Sequence, residues 1–359
     1  MVTIRHTPTD HGTKIELLVD AQVASGLEIW DLTMRVGPVG FRCGGIGGVF
    51  TQRPYRMRGY ARRVLEDSIA FMRQEGYVLS ALFGIPNFYT KFGFASALVN
   101  STVTVKVRHV EGVKPRYAVR PLREEDIRAV AEIYEALNAR RTGTAVRDPA
   151  TWKGFRRGTN WSSRFDAFVV LDGERIVGYG QYNLDPWNFG IGEIGYRDPS
   201  VFSTLLAEAT RLAWERRLEE FSFYLPLDDP FVEYCCRYGC EIKITYPHNG
   251  GGMVRVIDQQ ALFVGLEPLW RERLEGYAGD WGSLSIVTDL GEGRIPLGTA
   301  GPTLRVEMPQ PVFTQLLMGY RRVQDVLEEP GVQIAEEAIP LLDRLFPRGY
   351  PYMYVADRF

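Results

Sequence analysis

The chain has 359 residues, 45% of them hydrophobic and 24% charged, with a formal net charge of −2. That length exceeds one ordinary core and predicts two or three domains, and the near-neutral balance gives no support to general nucleic-acid binding. No apolar run reaches the roughly 18 residues a membrane span requires. The N-terminus has no signal-peptide pattern. Cys43, Cys235, Cys236 and Cys240 are too few and too clustered for a disulfide framework, which points to a reducing cytoplasm.

Ile15 to Val36 reads as two strands with a turn near Val19-Asp20, and Phe41 to Thr51 as a third. Within the third, Gly44-Gly45-Ile46-Gly47-Gly48 lacks the last glycine of G-x-G-x-x-G, and no G-x-x-x-x-G-K-[ST] is near. Neither of those phosphate loops is present. A basic turn with one central glycine, Gly59, follows the strand and leads into an amphipathic helix. Ala61, Val64, Leu65, Ser68, Ile69 and Met72 fall on one stripe of that helix, and Gly76 suits the position after its last turn. Backbone N–H groups at a glycine-permitted turn, aimed by a helix N-terminus, make an anion site. Arg56, Arg58, Arg62 and Arg63 add positive charge suited to phosphate oxygens. The bland alternative is a solvated basic surface; against it, positive charge at a helix N-terminus opposes the macrodipole unless an anion sits there.

Tyr77 to Phe83 reads as a buried strand, followed by Gly84-Ile85-Pro86-Asn87-Phe88-Tyr89-Thr90-Lys91-Phe92-Gly93-Phe94-Ala95, a short helix leading into a further strand. Thr102 to Val107 is another strand. A second unit restarts at Tyr117, with a helix lined by Ile127, Val130, Tyr134 and Leu137. Phe165 to Leu184 reads as a hairpin turning at Asp172-Gly173. Gly190 to Tyr196 is a strand, and Pro199 opens a helix to about Arg217. The turn Arg197-Asp198-Pro199-Ser200-Val201 is short, acidic and glycine-free where the first unit has its basic glycine turn. Glu233 to Tyr238 reads as a helix whose cysteines act as small apolar residues rather than as zinc ligands with His248, since adjacent cysteines rarely ligate one ion. Asn249-Gly250-Gly251-Gly252 is expected to be a hairpin. From Asp258 a third unit carries helices over Leu262–Leu274, Pro311–Tyr320 and Ile334–Phe346, and strands over Ser283–Asp289 and Thr303–Met308.

Arg56-x-x-Gly59-x-Ala61 resembles the R/Q-x-x-G-x-G/A signature of GNAT-type N-acetyltransferases, whose turn holds the pyrophosphate of acetyl-coenzyme A. The Phe88-to-Phe94 segment resembles the family's F-Y-x-K-x-G-F. The tail, in Met253 to Asp258, Gln315 to Arg321, Leu345-Phe346-Pro347 and Asp357-Arg358-Phe359, resembles the sterol carrier protein-like domain of the Eis (enhanced intracellular survival) type. The resemblance covers nearly the whole chain. It implies an α/β (α+β) chain of tandem GNAT domains followed by a sterol carrier protein-like domain. Residues 1–116 would form the coenzyme-binding domain, shortened before the motif by the family's opening helices, which wall the acceptor pocket. Residues 117–257 would form a degenerate GNAT-like domain, and 258–359 the carrier-like domain.

The resemblance further implies acetyl-coenzyme A contacts at Val49, Phe50, Thr51, Arg56, Met57, Arg58, Gly59, Tyr60, Ala61, Arg62, Gly84, Ile85 and Asn87. It makes Tyr89 the proton donor to the leaving sulfur, a role a phenol that is protonated at neutral pH can fill; packing beside Phe88, Phe92 and Phe94 is the alternative. It makes the main-chain carboxylate of Phe359 the group that receives the acceptor's proton, with Glu28 and Asp31 as alternatives, because no histidine lies near the motifs. The implied function is acetyl transfer to a primary amine of a small cationic molecule, aminoglycoside- or polyamine-like, in a homo-oligomer, hexameric by resemblance, with no metal. A non-catalytic acyl-coenzyme A- or lipid-binding protein on the same folds is the alternative.

Overall fold

The computed structural model describes residues 1–185, 189–298 and 300–359. The chain opens as an antiparallel meander of β1 (Val2–Thr9), β2 (Gly12–Val19), β3 (Gln22–Val36) and β4 (Val39–Thr51). Val2–Thr9 was not foreseen as a strand. Asp20 and Ala21 make the two-residue turn between β2 and β3, both with positive φ (48° and 66°). That pair is the φ signature of a type I′ hairpin turn. After β4 come α1 (Tyr60–Gln74), β5 (Leu79–Gly84), β6 (Ala95–Leu98), β7 (Asn100–Lys106) and the single turn α2 (Val107–Val110). Gly76 ends α1 with φ 76°, and Tyr77 N–H reaches back to Met72 O at 2.9 Å, the six-to-one bond of a Schellman cap.

The second part runs through β8 (Ala118–Pro121), α3 (Ile127–Asn138), β9 (Phe165–Asp172), β10 (Arg175–Asn183), β11 (Gly190–Tyr196), α4 (Phe202–Glu215), β12 (Glu220–Phe223), α5 (Pro230–Cys236), β13 (Cys240–Thr245) and β14 (Gly251–Val256). The last part holds α6 (Gln259–Arg273), β15 (Ser283–Thr288), β16 (Gly291–Pro296), β17 (Thr303–Glu307), α7 (Gln310–Leu317) and α8 (Ile339–Leu345). The helix expected over Ile334–Phe346 is shorter, because Pro340 sets its start and residues 334–335 remain extended ahead of one 3₁₀ turn.

Among the described residues the strands form two seven-stranded sheets and one of three. The first is ordered β1-β2-β3-β4-β5-β14-β6, the second β13-β7-β12-β11-β10-β9-β8. Each large sheet therefore borrows a strand: β7 pairs with β12 and β13, while β14 pairs with β5 and β6. Boundaries at 116 and 257 divide the chain but not the sheets. The glycine-rich segment 249–252 is accordingly a crossover rather than a hairpin, since β13 and β14 belong to different sheets.

The first sheet is covered on both faces. Ile15, Leu17, Ile29 and Ile46 meet Val64, Leu65 and Met72 of α1 on one face. Met34, Val36, Phe41 and Cys43 meet Leu262, Leu266 and Leu269 of α6 on the other, together with Met353 and Phe359 from the chain's last residues. No α-helix precedes α1 among the described residues; α6 and the tail cover the second face. Tyr352, Tyr354 and Ala356 are buried in the core of the second sheet.

Candidate active site

Four residue pairs join β4 and β5 in parallel, ending at Ile46–Leu82. Beyond that pair β4 stays with β3 (Gly26–Phe50, Ser25–Thr51) and β5 stays with β14 (Phe83–Gly252, Gly84–Gly251). The two strands thus part, and the β4 backbone from Gly47 to Thr51 loses its ladder partner on the β5 side. Ser25 holds the outer edge in place, its Oγ 2.7 Å from Phe50 O and 2.9 Å from Thr51 Oγ1. A strand edge left open in this way accepts amide groups of a ligand as an added strand would. Val49 and Thr51 are half-buried there and Phe50 is exposed.

Below the opening lies the basic turn. Arg53–Tyr55 forms one 3₁₀ turn, Arg56 Nε donates to Thr51 O at 3.2 Å, and Met57 stands fully exposed with φ 61°. Gly59 is the N-cap of α1 at φ 76°, and no side chain caps the helix. The first turn of α1 contains no acid. Among the described residues none of Arg56, Arg58, Arg62 and Arg63 enters an ion pair. Unmet N–H groups, the positive end of the helix dipole and unpaired guanidiniums converge on one surface. These residues fit a pyrophosphate. Tyr60 and Ala61 supply first-turn N–H groups, and open space surrounds the position a Gly59 Cβ would take.

Tyr89 opens the 3₁₀ turn Tyr89–Phe92. Its ring lies over Gly84, where a Cβ would be 2.4 Å from it, so position 84 requires glycine. Phe88 meets the ring edge-on at 4.9 Å, with Phe94 at 6.4 Å. Burial pushes the phenol pKa above its ordinary value, so the hydroxyl keeps its proton at neutral pH. Ile85 is exposed, and Asn87 is held by the crossover: its N–H donates to Asn249 O at 2.8 Å and its Oδ1 accepts from Asn249 Nδ2 at 3.0 Å.

The glycine run in β4 has a different use from a phosphate loop. A Cβ on Gly44 would sit 2.3 Å from Met72 Sδ on the α1 face. On the opposite face a Cβ on Gly45 would lie 2.5 Å from the Phe359 ring, and one on Gly47 would lie 2.9 Å from the Phe359 carboxyl carbon. The bare strand admits the chain terminus, and the terminal carboxylate rests where β4 and β5 part. Phe83 of β5 meets the Phe359 ring at 6.0 Å. Glu28 is the β3 partner of Gly47 and accepts from Thr9 Oγ1 at 2.8 Å. Asp31, the other alternative, is held by Arg42 at 2.8 Å, and Arg42 Nη1 also donates to Glu75 O at 2.6 Å just past the end of α1. Asp31 is the β3 partner of Gly44, whereas Glu28 is the partner of Gly47. His11, distant from the motifs in sequence, stacks on Trp30 at 4.5 Å, and Trp30 is the β3 partner of Gly45. Arg156 lies over the same Trp30 ring at 4.8 Å and donates to Asp357 O at 3.2 Å.

Residues 5–97 match the acetyltransferase (GNAT) domain family. The chain carries a GNAT acetyltransferase domain. No curated protein matches the sequence. Among solved structures, a probable N-acyltransferase of unknown function from Enterococcus faecalis is 16% identical, with each chain covered in full and a TM-score of 0.77. A GCN5-related N-acetyltransferase from Anabaena variabilis is 16% identical over 95% of this chain and 88% of its own, TM-score 0.73. Eis1 from Mycobacterium abscessus is 14% identical over 96% and 90%, TM-score 0.68. At these identities the likeness concerns the fold, and it extends well past the GNAT domain to nearly the whole chain. No helix among the described residues is long and apolar enough to cross a membrane.

Proposed function

We propose that the protein transfers the acetyl group of acetyl-coenzyme A to a primary amine of a small molecule, with the carboxylate of Phe359 receiving the amine's proton and Tyr89 Oη donating one. The observation that carries this reading is the seat of the chain terminus: its carboxyl carbon adjoins Gly47 where β4 and β5 part. Gly59, the N–H groups of Tyr60 to Arg62 and the side chains of Arg56, Arg58 and Arg62 hold the pyrophosphate, and Val49 to Thr51 take the amide-bearing arm. When bound, acetyl-coenzyme A supplies the acetyl group already activated as a thioester.

The proton-handling groups lie on opposite sides of the first sheet. Tyr89 belongs to the α1 face and Phe359 to the α6 face. One face therefore takes a proton and the other gives one, so the two groups need not compete for the same proton. Glu28, on the strand beside Gly47, adds a second negative charge on the acceptor side. Two carboxylates favour a cationic acceptor of aminoglycoside or polyamine type. Residues 1–116 are read as the coenzyme-binding domain, 117–257 as its degenerate relative and 258–359 as a sterol carrier protein-like domain, assembled as a homo-oligomer.

Appending a few residues beyond Phe359 tests the reading. Turnover with the best amine from a panel of polyamines and aminoglycosides should fall by roughly 10²–10⁴, the usual range for a lost general base. Coenzyme A affinity and oligomer size should hold. Unchanged turnover in the extended protein would refute the carboxylate's role and leave Glu28 as the candidate base.

A further inference from the structure

Arg147 is among the most deeply buried side chains of the molecule, with a relative exposure of 2%. It lies beyond α3, on the segment that carries the chain toward β9. Its Nη1 and Nη2 each lie 2.6 Å from a Glu193 oxygen, and its Nε and Nη2 each lie 2.9 Å from an Asp357 oxygen. One guanidinium thus grips two carboxylates, each bidentately. Tyr179 Oη donates to Glu193 at 2.6 Å, Tyr134 Oη lies 2.9 Å from Ala145 O and 3.2 Å from Asp357 Oδ2 with its one proton shared between them, and the Tyr134 ring lies 3.7 Å beneath the guanidinium carbon. Glu193 is fully buried on β11 and Asp357 is nearly so. Arg156, nine residues on, donates to the backbone O of Asp357 at 3.2 Å.

Stability does not account for this arrangement. A buried ion pair seldom outperforms an apolar cluster of the same volume, because desolvation offsets attraction; its distinctive contribution is fixed geometry. The tail has little regular structure to supply that geometry; apart from this clamp it is held by burial and by scattered bonds such as Val99 N to Pro351 O at 2.9 Å and Arg358 Nη2 to Asn100 Oδ1 at 3.0 Å. Residues 347–354 form no helix or strand, and only one 3₁₀ turn, Val355–Asp357, precedes the end. Asp357 is two residues from Phe359, a reach of at most about 7 Å for extended chain. Holding Asp357 therefore restricts where the terminal carboxylate can go.

We propose that Arg147 and Glu193, both from the second part of the chain, are positioning residues that hold Asp357 and through it seat the Phe359 carboxylate against Gly47. The second sheet, which lacks a basic turn of its own, thereby serves the site on the first. The proposal rests on the reading of the carboxylate as the base. It is tested by Asp357→Asn, which weakens the grip without stranding a charge on Glu193, crossed with the C-terminal extension. Asp357→Asn alone should lower kcat by roughly 10²-fold, as a misplacement near 1 Å does, with coenzyme A affinity unchanged. In the extended background the same substitution should cost nothing further, because the group it positions no longer acts. Tyr134→Phe, which removes one hydroxyl, should show a smaller loss with the same non-additivity and so covers the case in which the asparagine variant does not fold.

Wild-type kcat in both variants, or losses that multiply fully with the extension, would overturn the proposal. If the extension abolishes turnover while Asp357→Asn and Tyr134→Phe do not touch it, the clamp is wrong and the base stands. If the extension itself has no effect, the base is wrong and the clamp falls with it.

Discussion

α1 and α4 occupy equivalent places. Each follows a strand, β4 or β11, that is antiparallel to the strand before it and parallel to the one after its helix. Their first turns are finished differently. Gly59 leaves α1 uncapped and surrounded by arginines. Ahead of α4, whose own N-cap Val201 also lacks a side-chain bond, the Asp198 carboxylate caps the 3₁₀ turn Pro199–Val201 by accepting from Ser200 N at 2.9 Å. The strand openings differ in the same sense. Beside β4 the chain presents bare glycines, whereas β11 carries Glu193 under Arg147, and Tyr196 donates to Asp229 at 2.7 Å. A helix N-terminus binds a ligand anion only when the protein has not supplied an anion of its own.

The largest effect is expected at Gly45. Replacing it with Ala puts a Cβ 2.5 Å from the Phe359 ring, in a strand with no room to yield. Turnover should fall by roughly 10²–10⁴, as when a general base is lost, while coenzyme A titrates normally by calorimetry. Normal turnover would mean that the terminus is a passenger on β4. Tyr89→Phe comes next, with a loss of about 10²-fold in kcat and an unmoved fold, since the ring still packs on Gly84. Normal kcat would make Tyr89 a core aromatic only. The segment after β12 is closed differently: Asp229 there caps α5 by accepting from Phe231 N at 2.9 Å.

Much of the first half of this contrast was legible in the sequence. The stripe from Ala61 to Met72 and the glycine at 76 are local features, and local features fix a helix and its cap. The basic turn was legible for the same reason. The strand exchange was not, because β7 and β14 look like ordinary members of their own neighbourhoods and only long-range pairing assigns them elsewhere. Gly45 and Gly47 carried no sign of their purpose, since what fills the space above them lies some 300 positions away in the chain. Arg147 was missed outright. A lone arginine between a helix and a loop reads as surface, and its two carboxylates come from residues 193 and 357.

A smaller effect is expected at the anion turn itself. Gly59→Val forces a β-branched residue to φ 76°, at a cost of about 1–2 kcal/mol for the left-handed region. If the variant keeps the turn, it introduces a side chain over the helix N-terminus. Coenzyme A affinity should drop about tenfold or more, and salt should matter less to what remains. Calorimetry of the wild-type chain should also give one coenzyme A per chain; two would show that the α4 turn is not closed.

The smallest effect concerns that closure. Hydrogen bonds from the Ser200 hydroxyl, then from its N–H, hold the Asp198 carboxyl below its ordinary value. A carboxyl depressed in the folded state adds stability that is present above its unfolded pKa and is lost as pH falls toward the folded one. Asp198→Ala should therefore cost about 1 kcal/mol near neutrality, the usual worth of an N-cap, and the gap to wild type should narrow below about pH 4. Thermal unfolding of the two proteins across pH 3 to 7 measures that gap. A constant difference at all pH values would mean the carboxylate is not the cap. With the cap gone, the α4 turn still has neither a glycine nor an arginine cluster, so it should bind no coenzyme A; if a second equivalent bound, the missing anion alone would have been what separated the two turns.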